Sequence, residues 1–347
     1  MTSRTFGSYP DGRAAELYTI EGEGGRLARV TDHGATLVEL WAPDRDGMPA
    51  DVVCGFDTLE GYLSAANPYF GATVGRVANR IAHGRFSLGD VTYHLATNEA
   101  PHHLHGGAER SLDKVLWEVV DLAPDAVTLR YHAPDGEEGY PGDLEVLATY
   151  RFEGDTLAVT YRATTDATTP VNLTNHAYFN LAGAGEGDVL DHELTVHAQT
   201  TSEVDAQLIP TGRLLPVDGT PLDLRAPRPL GDGVAALSEV PGAAGYDHNL
   251  VLEGAAGAVR SVAQLHDPAS GRVLELATDQ ACLQVYSGNK MDPPIPGKHG
   301  QVYRRHGAVC LEPQGFPDAV NHPELPSVLL APGEVYEHRS RYRLTTG

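Results

Sequence analysis

Basic residues are scarce in this chain. Across 347 residues, 25 Lys and Arg stand against 47 Asp and Glu, a formal net charge of −22 at pH 7 with histidines neutral. A surface of that sign repels nucleic-acid backbones and anionic membranes, so neither is expected as a partner. It also argues against a highly anionic substrate unless arginines cluster locally. Cysteine is scarce too: Cys54, Cys282 and Cys310 are an odd set, each within an apolar strand-like run. That excludes a disulfide framework and predicts buried free thiols in a reducing compartment, the cytoplasm. No run approaches 18 apolar residues, so no transmembrane helix is expected. The start, M-T-S-R-T-F-G-S-Y-P-D-G, lacks the apolar core of a secretory signal. Helical periodicity is weak. Thr58 to Ala66 and Val234 to Val240 are each spaced as a short helix, too short to carry a layer.

What the chain has is turns and alternation. Gly (38) and Pro (24) are plentiful without reaching a disordered composition. Leu144, Val146, Ala148, Tyr150 and Phe152 alternate with more polar neighbours, Glu153-Gly154-Asp155-Thr156 turns the chain, and Leu157, Val159, Tyr161 and Ala163 alternate again, the pattern of a β-hairpin. Similar pairs flank Pro43 to Gly47, Gly89-Asp90 and Pro134 to Gly136. Val115 to Asp121 with Ala126 to His132 reads as another pair, and Val328 to Tyr336 with His338 to Leu344 as the last. No repeat period appears, and composition does not shift across the loop-like stretches 135–143 and 243–245. One antiparallel β domain over 1–347, with sheets packed face to face, is the expected architecture.

The most informative stretch is V-N-L-T-N-H-A-Y-F-N-L-A-G at 171–183. Read as a strand, it puts Asn172, Thr174, His176, Tyr178 and Asn180 on one face. Amides, a hydroxyl, an imidazole and a phenol suit an uncharged polar ligand. A half-exposed strand with an idle histidine is the plain alternative. Near Gly75, Arg76 and Arg80 lie four apart with Asn79 beside the second. Arginine's planar fork of donors can hold several oxygens, although most arginines are simply exposed. Pro101 to Gly107 is dense in histidine, and His103, His105 and Glu109 form H-x-H-x3-E, half of a cupin-like metal motif without its glycines. Asp247 follows an aromatic, where a carboxylate can accept two hydroxyls or cap a turn. Gln284 and Tyr286 share a strand face. Finally, the apolar run Val309 to Leu311 leads directly into Glu312. A carboxylate there is costly unless paired or functional.

These pieces together resemble the aldose 1-epimerase (galactose mutarotase) family. The matching segments are G-R-V-A-N-R-I-A at 75–82, H-L-H-G-G at 103–107, the stretch at 171–183, P-T-G-R-L-L-P-V at 210–217, D-H-N at 247–249, Q-V-Y-S-G-N at 284–289 and L-E-P-Q-G-F-P-D-A-V-N at 311–321. One departure is His102, where the family often has Asn. The resemblance implies an all-β fold, a large antiparallel supersandwich with few short helices. It implies no metal and no organic cofactor, a free monosaccharide as partner, and a monomer or weak homodimer. It implies His176 as general acid and Glu312 as general base, with Asn79, Arg80, His105, Tyr178, Asp247 and Gln284 on the sugar.

The chemistry agrees. Exchanging α and β anomers requires the hemiacetal to open, rotate and close. One group takes the proton of the anomeric hydroxyl while another protonates the ring oxygen, each step worth about 10²–10⁴-fold. Arg80 is expected to keep Glu312 ionised. Three other readings remain: a hexose-6-phosphate epimerase, which needs extra cations; a carbohydrate-binding protein without catalysis; and a metal enzyme using His103, His105 and Glu109.

Overall fold

Alternating residues become sheet along most of the chain. Leu144–Glu153 and Thr156–Thr165 pair antiparallel with Glu153 opposite Thr156. Leu144, Val146, Ala148, Tyr150 and Phe152 are all buried, and the residues between them are at least partly exposed. The hairpins around 43–49 and 88–91 form as expected, Thr36–Pro43 with Pro49–Asp51 and Arg85–Leu88 with Val91–His94. Glu118–Ala123 pairs with Ala126–Ala133, and the latter with Leu144–Glu153 across the 134–143 loop. The computed structural model describes residues 2–239 and 244–347.

Three sheets carry the fold. A five-stranded meander runs from Thr2 to Asp51. A nine-stranded sheet orders Glu118–Ala123, Ala126–Ala133, Leu144–Glu153, Thr156–Thr165, Tyr336–Thr346, Arg272–Thr278, Arg260–His266, Glu193–Val196 and Arg228–Pro229. A six-stranded sheet orders Tyr178–Phe179, Val309–Gln314, Cys282–Tyr286, Asp247–Leu252, Ala198–Val204 and Pro210–Pro216. One apolar cluster joins all three: Ile20 and Leu37 from the first, Val146, Tyr150 and Tyr161 from the second, Leu250, Leu283, Val285 and Leu311 from the third. The fold is a large all-β sandwich. Among the described residues it has two α-helices, Leu59–Leu63 and Leu230–Ser238. Both fall where the sequence suggested. Val240, the expected end of the second, and Ala243, the start of one loop-like stretch, lie outside the described residues.

Two expectations fail. Val328 to Tyr336 and His338 to Leu344 do not form a hairpin. Leu329–Leu330 pairs with Thr169–Pro170, whereas Tyr336–Thr346 fills the gap between Thr156–Thr165 and Arg272–Thr278. Alternation reports that a segment is strand but not which strand it joins. The stretch 171–183 is not one strand either. It is two short pairings, Thr174–Asn175 with Thr73–Val74 and Tyr178–Phe179 with Val309–Cys310, and both of its faces are buried.

The three central strands of the six-stranded sheet position the site. Val309 and Leu311, Leu283 and Val285, Leu250 and Leu252 point into the core. The intervening residues point the other way. Register then sets two rows across that face: Asp247, Tyr286, Cys310 and Tyr178 in one, Asn249, Gln284 and Glu312 in the next.

Candidate active site

A cavity of about 170 Å³ sits on this face. It is lined by Asn79, Arg80, His105, His176, Tyr178, Asp247, Gln284 and Glu312, with Pro68, Tyr69, Leu104, Tyr286 and Lys290 completing the wall. Every residue picked as a site candidate from the family resemblance faces this one space.

His176 and Glu312 meet at its floor. The imidazole Nε2 is 3.6 Å from Glu312 Oε2, and both side chains are buried. Backbone bonds fix the histidine from both sides: its N–H donates to Ala72 O at 2.9 Å and its carbonyl accepts from Gly71 N at 3.0 Å. Its ring stacks on Tyr178, centroids 5.0 Å apart and planes 14° apart, and on Tyr69 at 6.0 Å. Nδ1 is buried with no protein hydrogen-bond partner among the described residues, and Nε2 is the nitrogen that faces Glu312. Desolvation lowers the His176 pKa to about 4. Desolvation, with repulsion from Asp247, pushes Glu312 well above the usual carboxylate range.

The expectation that Arg80 keeps Glu312 ionised fails. Arg80 spends its fork on Glu99, with Nε donating at 2.6 Å and Nη2 at 3.2 Å. Lys290 donates to the same carboxylate at 3.0 Å. Both cations that line the cavity are thus bound to Glu99, which is not among its lining residues.

The remaining groups are oriented by bonds among themselves. Asn79 N–H donates to His105 Nδ1 at 3.1 Å, so the ring proton of His105 sits on Nε2. Burial first, then the charges of His176 and Arg80, drives His105 well below its ordinary pKa. It is a neutral donor. Gln284 Nε2 donates to Asp247 Oδ1 at 2.7 Å, and Tyr178 OH donates to Pro68 O at 2.9 Å. Tyr69, Asn79 and His105 all have positive φ, at 69°, 62° and 52°. Such left-handed non-glycine residues gather at functional sites. Gly106 follows His105 because a Cβ there would lie 1.8 Å from Gly75 O.

Other candidates are placed elsewhere. Arg76 is buried and donates to Pro141 O, Gly142 O and Thr169 Oγ1, a structural role. His103 bonds Ala96 O and Tyr140 OH, and the Glu109 backbone N–H donates to Glu138. Neither joins His105 in the cavity, so the cupin-like triad is not assembled. His102 bonds His83 N–H and Gln207. Sequence reasoning missed Tyr69 and Lys290. Tyr286 was within reach, since it shares a strand face with Gln284.

The model of the aldose 1-epimerase family matches residues 16–343. The chain belongs to the aldose 1-epimerase family. Among its relatives, galactose mutarotase of Homo sapiens is 46 % identical over 99 % of this chain and 98 % of its own length, and that of Rattus norvegicus matches equally. Aldose 1-epimerase of Escherichia coli (strain K12) is 33 % identical over 99 % of both chains. An aldose epimerase homologue from C. elegans superposes with a TM-score of 0.87 at 32 % identity, covering 96 % of this chain and 99 % of that one.

Proposed function

We propose that this chain is an aldose 1-epimerase, an isomerase that interconverts the α and β anomers of free aldohexoses such as glucose and galactose. Glu312 is the base and His176 the acid. The observation that carries this reading is the buried 3.6 Å imidazole–carboxylate pair opening on one cavity of hydroxyl-binding groups. Glu312 takes the anomeric proton while His176 Nε2–H protonates the ring oxygen. The C1–ring-oxygen bond breaks and an aldehyde forms. The aldehyde rotates about the C1–C2 bond, and the same two transfers run backwards. The protein ends each cycle with the protonation it started with.

The shifted pKa values fit this cycle. With Glu312 pushed up and His176 pushed down, burial favours the neutral form of both groups in the free protein. The forward step needs a carboxylate at Glu312 and a proton on His176. A sugar between the two groups offers a donor to the carboxylate and an acceptor to the imidazolium, which stabilises the charged arrangement. Asn79, Arg80, His105, Tyr178, Asp247 and Gln284 hold the other hydroxyls. A free sugar is favoured over its 6-phosphate because Arg80 and Lys290 both engage Glu99. The whole chain, 1–347, acts as one domain in the cytoplasm, the compartment that suits three free buried thiols. No described helix is long and apolar enough to cross a membrane.

Polarimetry on freshly dissolved α-glucose tests the roles. Glu312→Gln and His176→Asn should each lose about 10²–10⁴-fold in rate with circular dichroism unchanged. Near-wild-type rates in either variant would refute the assignment, and comparing glucose with glucose 6-phosphate tests the substrate class.

A further inference from the structure

The sheet row beside Glu312 brings a thiol to the same spot. Cys310 and Glu312 are two residues apart on Val309–Gln314, so both leave the strand on its cavity side. His176 closes a triangle. One donor atom from each of His176, Cys310 and Glu312 lies within 4.8 Å of the other two, and all three residues are buried. Among the described residues this is the group of three such donors that comes together. It differs from the His103, His105 and Glu109 set suggested by the H-x-H-x3-E spacing.

Zinc is held at about 2.0–2.3 Å by nitrogen, oxygen and sulfur, which places neighbouring donors about 3.3–3.6 Å apart in a tetrahedron. The imidazole–carboxylate edge already measures 3.6 Å. The thiol edges need to shorten by at most about 1 Å to reach that geometry, a small side-chain adjustment. Mixed nitrogen, sulfur and oxygen donors select a borderline-soft divalent ion, while magnesium and calcium take oxygen ligands. Three protein donors also leave a fourth position open, as in non-structural zinc sites.

We propose that His176, Cys310 and Glu312 form a binding site for a thiophilic divalent cation, zinc foremost, and that the ion inhibits the protein by occupying the acid–base pair. The metal takes the Nε2 lone pair and the carboxylate oxygen, the two atoms that move protons, and releases to solvent both the thiol proton and the proton held by the acid–base pair. Sugar and metal therefore exclude one another. Cys310 is not among the residues that line the sugar cavity, so it is the handle that separates metal binding from catalysis.

The inhibition readout rests on the proposed mutarotase activity; the binding readout does not. Untagged protein titrated with Co²⁺ should show a thiolate-to-cobalt charge-transfer band in the near ultraviolet, absent in Cys310→Ala and kept in Cys54→Ala and Cys282→Ala. Zinc should slow mutarotation competitively with sugar, EDTA should reverse it, and Mg²⁺ should do nothing. Cys310→Ala should keep its metal-free rate and need at least about tenfold more zinc for the same inhibition, since even outer-shell losses cost 10–100-fold in affinity. Absence of a thiolate band in wild-type protein overturns the site whether or not the variant folds. Equal zinc sensitivity in folded Cys310→Ala overturns it as well. A protein that shows the cobalt band but turns over no sugar contradicts the functional reading and leaves the metal site supported.

Discussion

His105 illustrates how one backbone bond decides what a side chain can do. Because Asn79 N–H donates to Nδ1, the imidazole is locked as an Nε2–H donor, and burial keeps it neutral. A neutral donor can hold a hydroxyl without competing for the proton that the proposed cycle passes through His176. A role confined to holding sugar predicts a mainly ground-state effect: His105→Asn should raise KM roughly tenfold, about 1.4 kcal/mol, with a smaller change in kcat. A loss confined to kcat would make His105 part of the proton path instead. The pair itself predicts the pH profile. The proposed cycle needs one proton shared between His176 and Glu312. It is lost on the acid side as His176 gains a second proton, at about pH 4, and on the alkaline side as the raised Glu312 gives up its proton. The kcat/KM profile should therefore stay flat through pH 6.5. An acid limb centred on the ordinary histidine value of about 6.5 would show that His176 is not desolvated.

At the scale of strands and loops, legibility followed local parity. The hairpin 144–165 was readable because its apolar residues keep period 2 without interruption. The same parity puts Gln284, Tyr286 and Glu312 on one face. Parity misled at His103 and His105, which an extended chain places together. His105 has φ of 52°, which breaks the alternation and sends the two rings to different partners. Tyr69 was invisible for a similar reason: it is a left-handed turn residue with no periodic signal. Arg76 and Arg80 could not be told apart by spacing, since what separates them is which carbonyls and carboxylates the loops deliver. The most telling unread contact is a buried ion pair. Lys298, in a single 3-10 turn, donates to Asp51 Oδ2 and Val38 O. Asp51 Oδ1 also accepts from Leu40 and Val53 N–H. The pair ties the 298–300 turn to the edge of the five-stranded sheet. Lys298→Met should cost about 3–5 kcal/mol by stranding a buried carboxylate, and adding Asp51→Asn should recover most of it. Urea unfolding of the single and double variants checks this; a double variant no better than the single would mean that Lys298 contributes packing and not charge compensation.

Over the whole molecule, two electrostatic effects compete as the pH falls, and their signs differ. The chain carries a formal charge of −22, so losing negative charge relieves self-repulsion and stabilises the fold. Exposed carboxylates titrate near pH 4, so little of that relief arrives between pH 7.5 and 5.5. Histidines act in that interval. Burial lowers the pKa of eight of the 16: His33, His176, His192 and His338 to about 4, and His103, His105, His248 and His306 in the same direction. Below about pH 6.5 the unfolded chain binds protons at these sites that the folded chain refuses, so stability rises with pH across the window and is lost on acidification. Asp32, pushed up to about 6 by burial, with Asp51, Glu312 and Asp318, works the other way, because the folded state keeps protons there that the unfolded chain gives up. Eight histidines outweigh these carboxyls. The thermal midpoint should therefore drop between pH 7.5 and 5.5, and 0.5 M NaCl should not abolish the drop, because screening acts on exposed charge and barely on desolvated imidazoles. A midpoint that rises on acidification, or a change that salt removes, would mean that surface repulsion governs the stability of this sandwich instead of its buried rings.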